Sequence, residues 1–280
     1  MNPTFLPCIL HSVTFLVLFH TLPYVGAISN EKFLKLSLTE KSVLDQFRTK
    51  MGPLLYEDCM RHDTYLIRWL RARNFDINAA ETMLRENLKW RKEKNIKNIK
   101  NEDFGDLVQD YHLTIDTYDK IGQPIGVVDI YNWDIRRAII QGKGQRLLRM
   151  VTGLVENITG QVCERQKKGM NVTQVVALFN ADGVNVIQQA CPICLPLWVQ
   201  FVTVIENYYP EWIDEFIIIQ SAPPVEIVLN AVRPIFSKRT SEAMKVFGHN
   251  KKVWMAHLDN KISRSERRKD YGGTKPPYQY

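Results

Sequence analysis

DTYLIRWLRAR, residues 63–73, and the NFDINAAETMLRENLKWRK that follows it, residues 74–92, decide how this chain folds. In the first stretch Leu66, Trp69 and Leu70 recur at helical spacing and share one face, while Arg68, Arg71 and Arg73 are expected to face elsewhere. Asp63 is placed to cap that helix. Asn74-Phe75-Asp76 breaks the period, and Asp76 or Asn78 can cap a further helix whose buried face is Ala80, Met83, Leu84 and Leu88. Upstream, Ser37 and Glu40 stand three apart before an apolar-periodic run, the pattern of a capping box. A helix from about Leu38 to Met51 follows, and Gly52-Pro53 stops it. Residues 35–105 are therefore expected to form a small helical unit.

Beyond about Tyr111 the period changes. Residues 112–118 alternate like a strand, 119–122 (DKIG) signal a turn, and 125–131 read as a second strand. Residues 145–168 form a long helix with Leu147, Val151, Leu154, Val155, Ile158 and Val162 inward. Residues 172–179 are nearly all apolar and of strand length, as for a strand buried on both faces. A helix is marked by Leu197, Trp198, Phe201, Val204, Ile205 and Tyr208, and 216–220 is again a short apolar strand. Strands alternating with helices predict an α/β domain with a mostly parallel sheet covered by helices, over 106–273.

The segment 225–236 has two readings. Val225, Val228, Leu229 and Val232 make an apolar face that Ile227 and Ala231 widen, leaving Glu226, Asn230 and Arg233 as a narrow polar stripe. Such a helix either packs on the sheet as ordinary core or roofs an apolar cavity.

These stretches, taken with Asn207-Tyr208-Tyr209-Pro210-Glu211, Ser221-Ala222-Pro223, Arg233-Pro234-Ile235-Phe236, Phe247-Gly248 and Tyr271-Gly272-Gly273, resemble the CRAL-TRIO family of lipid-binding and lipid-transfer proteins. The likeness runs from about Ser37 to Gly273. It implies an N-terminal helical bundle and a lipid-binding domain closed by a gate helix at about 224–236, which opens at a membrane. It implies binding and transfer of a lipophilic ligand without catalysis or cofactor. Cavity-lining candidates are then Val225, Val228, Leu229, Val232, Ala177, Phe179, Phe201 and Ile205. In the phosphatidylinositol-transfer branch the headgroup residues fall on Arg73, Glu211 and Thr240, with Lys245 near a further position. Four positions depart: Asn74 and Ala243 stand where that branch has lysines, and Ala177 and Phe179 replace its polar phosphatidylcholine pair. Losing a lysine removes a charge-assisted phosphate contact, so a sterol, fatty acid, retinoid or tocopherol-like ligand stands beside a phospholipid. A lipid-sensing or protein-docking scaffold without transfer is the alternative.

Composition bounds the rest. The 280 residues carry 37 Lys and Arg against 30 Asp and Glu, a net charge of +7, which suits anionic partners such as a membrane surface. Residues 1–27 hold no Lys, Arg, Asp or Glu and end in Val25-Gly26-Ala27, the grammar of a secretory signal peptide; an uncleaved anchor or a cytoplasmic protein are the alternatives. Asn157 and Asn171 head glycosylation sequons. Cys59, Cys163, Cys191 and Cys194 remain after such a leader and permit disulfides. Cys191-Pro192-Ile193-Cys194 has the spacing of a thiol oxidoreductase but stands without other redox signatures. Gly142-Lys143-Gly144 lacks the residues of a phosphate loop, and no metal-ligand spacing occurs. The basic run 264–269 lacks the aromatic interleaving of a nucleic-acid binder and suits a solvated or membrane-facing surface.

Overall fold

The Ser37 hydroxyl accepts the Glu40 amide at 3.2 Å while the Glu40 carboxylate accepts the Ser37 amide at 2.8 Å. This capping box starts α1 (Leu38–Met51) in the computed structural model, which describes residues 33–276. The leader expected over 1–27 lies outside the described residues.

Helix α2 (Asp63–Arg71) corrects two expectations. Its N-cap is His62, not Asp63, which is the first helical residue and ties α2 to α1 through Arg48 at 2.5 Å. Arg68 does not face outward: it is 1% exposed. Its guanidinium donates to the carbonyls of Glu211 (2.5 Å) and Thr173 and lies 4.0 Å from the Trp212 ring. Buried charge is tolerated where carbonyls and an aromatic face replace water. Asn74 and Phe75 turn the chain through the left-handed region (φ 50° and 61°), and Asp76 caps α3 (Ile77–Glu93) by accepting the amides of Asn78 and Ala79.

A short α4 (Gly105–Val108) leads to the sheet. Its strands β1 (Leu113–Tyr118), β2 (Pro124–Asp129), β3 (Val175–Asn180), β4 (Ile213–Ile219) and β5 (Met244–Val246) lie side by side in chain order. The first pair is antiparallel and the other three are parallel. Each parallel step needs a crossover. These run through α5 (Ile135–Ile140) and α6 (Gly144–Lys167), then α7 (Leu195–Tyr208), then α8 (Pro223–Val232) and α9 (Lys238–Ala243). Helix α10 (Lys251–Lys261) closes the fold.

Alternation sorts the strand residues by face. Val127, Val176, Leu178, Ile217 and Ile219 pack against Trp254 and Leu258 of α10, with Tyr271 beyond. Val128, Phe179 and Ile218, in register on the opposite face, meet α5 to α8. The helical unit joins its own core, with Phe47, Trp69 and Leu84, to Val162 of α6 and to Tyr209 and Trp212. Arg91 of α3 forks onto Glu156 of α6 at 2.7 and 2.8 Å, and the Tyr209 hydroxyl donates to the same carboxylate. Burial opposes the charge on Arg91, but Glu156 more than offsets it and raises its pKa. A disulfide joins Cys59 to Cys163 across 104 residues, and a second joins Cys191 to Cys194.

Candidate functional site

Pro223 and Pro224 occupy the first turn of α8, where helix amides lack partners and a fixed φ suits the start. Pro234 lies just past its end, in a 3-10 turn (Arg233–Ile235). Between these prolines Val225, Leu229 and Val232 are buried, whereas Glu226 and Asn230 are exposed, as the apolar stripe requires. The buried stripe does not pack solidly on the sheet. It roofs a cavity of about 90 Å³ whose floor is Phe179, Phe216 and Ile218. Trp198 and Val202 of α7 form one wall, and Val184 and Gln189 from the segment after β3 form another.

The polar side chains of these two walls, Gln189 and Trp198, are already engaged. The Gln189 amide donates to the Trp133 carbonyl at 3.0 Å and accepts the Asn185 amide at 3.0 Å; the Trp198 indole donates to the Gln189 carbonyl at 2.8 Å. The chamber offers an entrant dispersion and apolar contact, and no nucleophile or proton carrier. Its volume is below the ~150 Å³ that admits benzene in an engineered apolar cavity, so a lipid chain fits only if α8 shifts.

Of the lining candidates, Val225, Val228, Leu229, Val232 and Phe179 are in the wall. Ala177 lies between Gly126 and Phe216 in the sheet, two residues from Phe179 and outside the wall. Phe201 is buried edge-on to Trp198, and Ile205 lies one turn farther along α7; neither is in the wall. Alternation puts Phe216 and Ile218 on one face of their strand, but only the pairing register sets that face beside Phe179. Val184 and Gln189 carried no such signal, because no period runs through that segment.

The second candidate cluster is polar. Trp90 stacks on Tyr208 at 4.0 Å, which with Tyr209 and its Glu156 contact fixes the turn that follows. Glu211 sits in that turn at φ 56° with its carbonyl held by Arg68 and Gln174. Its carboxylate lies 3.8 Å from Arg71 and 3.6 Å from Arg239, and Oε2 has no hydrogen-bond partner. Burial pushes this carboxyl up, against the pull of Arg239, Arg71 and Arg68. Burial likewise pushes the Arg71 guanidinium down. Three arginines thus surround one carboxylate, an excess of positive charge that suits an anionic group.

Other expected headgroup residues are placed elsewhere. Arg73 is exposed in the turn after α2 and donates to the Ala72 carbonyl. Thr240 is in the first turn of α9, its hydroxyl accepting that of Ser237 at 3.0 Å, next to Arg239. Lys245 is on β5 and donates to the Glu242 carbonyl. The arginines beside the Glu211 carboxylate are Arg71 and Arg239, neither of which is among the headgroup residues that the resemblance implies. The basic run 264–269 is split: Arg267 pairs with Asp259 and Arg268 with Asp129 at 2.6 Å, while Arg264 and Lys269 are exposed. Asn157 is exposed on α6, and Asn171 in the loop before β3. Among the described residues no His, Cys, Asp and Glu group could hold a metal ion, and no helix is long and apolar enough to cross a membrane.

The CRAL/TRIO domain family matches residues 108–273, and the CRAL/TRIO N-terminal domain matches residues 32–86. Protein real-time of Aedes aegypti is 25% identical over 217 residues, covering 76% of this chain and 33% of that protein. A CRAL-TRIO domain-containing protein of Caenorhabditis elegans is 22% identical over 210 residues, covering 72% of this chain and 29% of that protein. The chain spans about a third of the length of these curated relatives. The crystal structure of Sfh5 shares the fold, with a TM-score of 0.66 at 14% identity, covering 84% of this chain and 87% of that one.

Proposed function

The chain belongs to the CRAL-TRIO family, and from that premise we propose that it binds a lipophilic ligand beneath α8 and transfers it between membranes, without catalysing a reaction. The carrying observation is the apolar chamber under a helix bounded by prolines. Each CH₂ withdrawn from water gains ~0.8 kcal/mol, so a lipid chain favours an enlarged chamber over solvent. Displacing α8 in water exposes Val225, Leu229 and Val232; at a bilayer the same surface meets acyl chains, and the cost falls. Membrane contact and ligand exchange are coupled in this way.

The excess positive charge around Glu211 supports a ligand with an anionic headgroup, held by Arg71 and Arg239. Two disulfides support an oxidising compartment, hence passage through the secretory pathway. Transfer is tested with donor and acceptor vesicles. Acceleration of lipid movement by the purified protein supports the proposal; binding without acceleration replaces it with a lipid-sensing scaffold.

A further inference from the structure

Residues 183–205 contain no charged side chain, yet α7 begins only at Leu195. The residues before it fold into a tight knuckle. Asn185 organises it: the side-chain carbonyl accepts the amides of Ile187 (3.0 Å) and Gln188 (2.9 Å), and the backbone carbonyl accepts those of Gln189 and Ala190. The Cys191–Cys194 disulfide closes the knuckle onto the start of α7, with Cα atoms 5.0 Å apart. Gln188 clamps it to α5, its carbonyl accepting the Arg136 amide at 3.0 Å and its side chain donating to Asp134 at 3.4 Å.

This stapled backbone holds aliphatic side chains in water. Ile187 is 69% exposed, Ile193 50% and Val186 47%; Ile140, one turn beyond Arg136 on the same face of α5, is 62% exposed. The inner side of the same knuckle, through Val184 and Gln189, is a wall of the chamber beneath α8. At the rim Arg137 pairs with Asp110 and Lys143 with Asp106, while Arg136 is exposed; Asp182 precedes the uncharged stretch.

We propose that the knuckle is a membrane-insertion wedge: Val186, Ile187, Ile193 and Ile140 enter the interface of a bilayer, and Arg136 meets lipid phosphates. A bilayer is the occupant because the tips offer apolar depth and little else. The Asn185 and Gln188 side-chain amides are engaged within the fold, so the tips present aliphatic side chains, and the exposed Arg136 beside them complements lipid phosphate. Insertion sets the chamber wall against the lipid from which a ligand comes. The wedge rests on the transfer reading for its purpose, but its test is separate.

The test is flotation with phosphatidylcholine vesicles, with and without phosphatidylserine. Ile187→Asp and Ile193→Asp alter exposed side chains and are each expected to lower vesicle partition at least about tenfold. Val253→Asp changes an exposed valine on α10, across the sheet, and is expected to leave partition unchanged. The aliphatic contribution should survive high salt, unlike one from exposed charges. Unchanged partition in both isoleucine variants, or an equal loss with Val253→Asp, overturns the wedge. A chain that carries no lipophile but still depends on Ile187 for flotation sustains the wedge and sinks the transfer reading. One that keeps its lipophile and floats regardless of Ile187 does the reverse.

Discussion

Glu211 is held by its backbone in a left-handed turn and by its side chain among Arg68, Arg71 and Arg239. Burial raises its carboxyl pKa, so the folded chain holds that proton more tightly than the unfolded chain. Its contribution to stability is fully present below the ordinary carboxylate value of ~4.3 and is lost as pH rises through the raised folded value. Glu211→Gln lacks this titration. The melting temperature of the wild type relative to Glu211→Gln should therefore fall as pH rises through that window; a flat or rising difference contradicts the assignment. Arg68 is the less legible neighbour. Helical periodicity treats an arginine as outward, and the carbonyls that satisfy it come from Thr173 and Glu211, more than a hundred residues away. No local pattern announces such a partner. Arg68→Ala should cost at least ~3 kcal/mol in denaturant unfolding, because two charge-assisted hydrogen bonds are lost; a loss below ~1 kcal/mol would show those carbonyls to be otherwise satisfied.

At the scale of elements, α8 was the segment with two readings, and its fate turned on what lies beneath it. The stripe Val225, Val228, Leu229 and Val232 was plain in the sequence, since period 3.6 survives any environment. The floor is only half plain: Phe179 stands in an apolar strand, but Phe216 and Ile218 depend on pairing register, which sequence does not print. Strand starts shifted for a similar reason. The first three residues of the 172–179 run, Val172, Thr173 and Gln174, are not strand: the Thr173 carbonyl accepts Arg68, and the Gln174 side chain donates to the carbonyls of Glu211 and Ile213 instead of joining the ladder. Val228→Trp would fill the cavity. It should reduce retained lipophile at least about tenfold in solvent extracts, with the melting temperature maintained or raised. Undiminished loading would place the ligand elsewhere.

Across the whole molecule, the crossover pattern was written in the alternation of strand and helix, and so was the helical unit. Strand β5 was not, because three residues are too few for a period. The Cys59–Cys163 bridge ties the helical unit to α6 over 104 residues. Sequence could count cysteines but not pair them. Replacing both with serine should lower stability by about 2–5 kcal/mol, measured by chemical denaturation. An unchanged midpoint would mean that the Arg91–Glu156 fork and the shared core already hold the two parts together. In the proposed function the space under α8 expands around a lipid chain. Mass spectrometry of solvent extracts from the natively purified protein tests it most directly. About one lipophilic molecule per chain is expected, lost in Val228→Trp; a wild-type protein that is empty, and stays empty after incubation with vesicles, would rule out an expandable chamber.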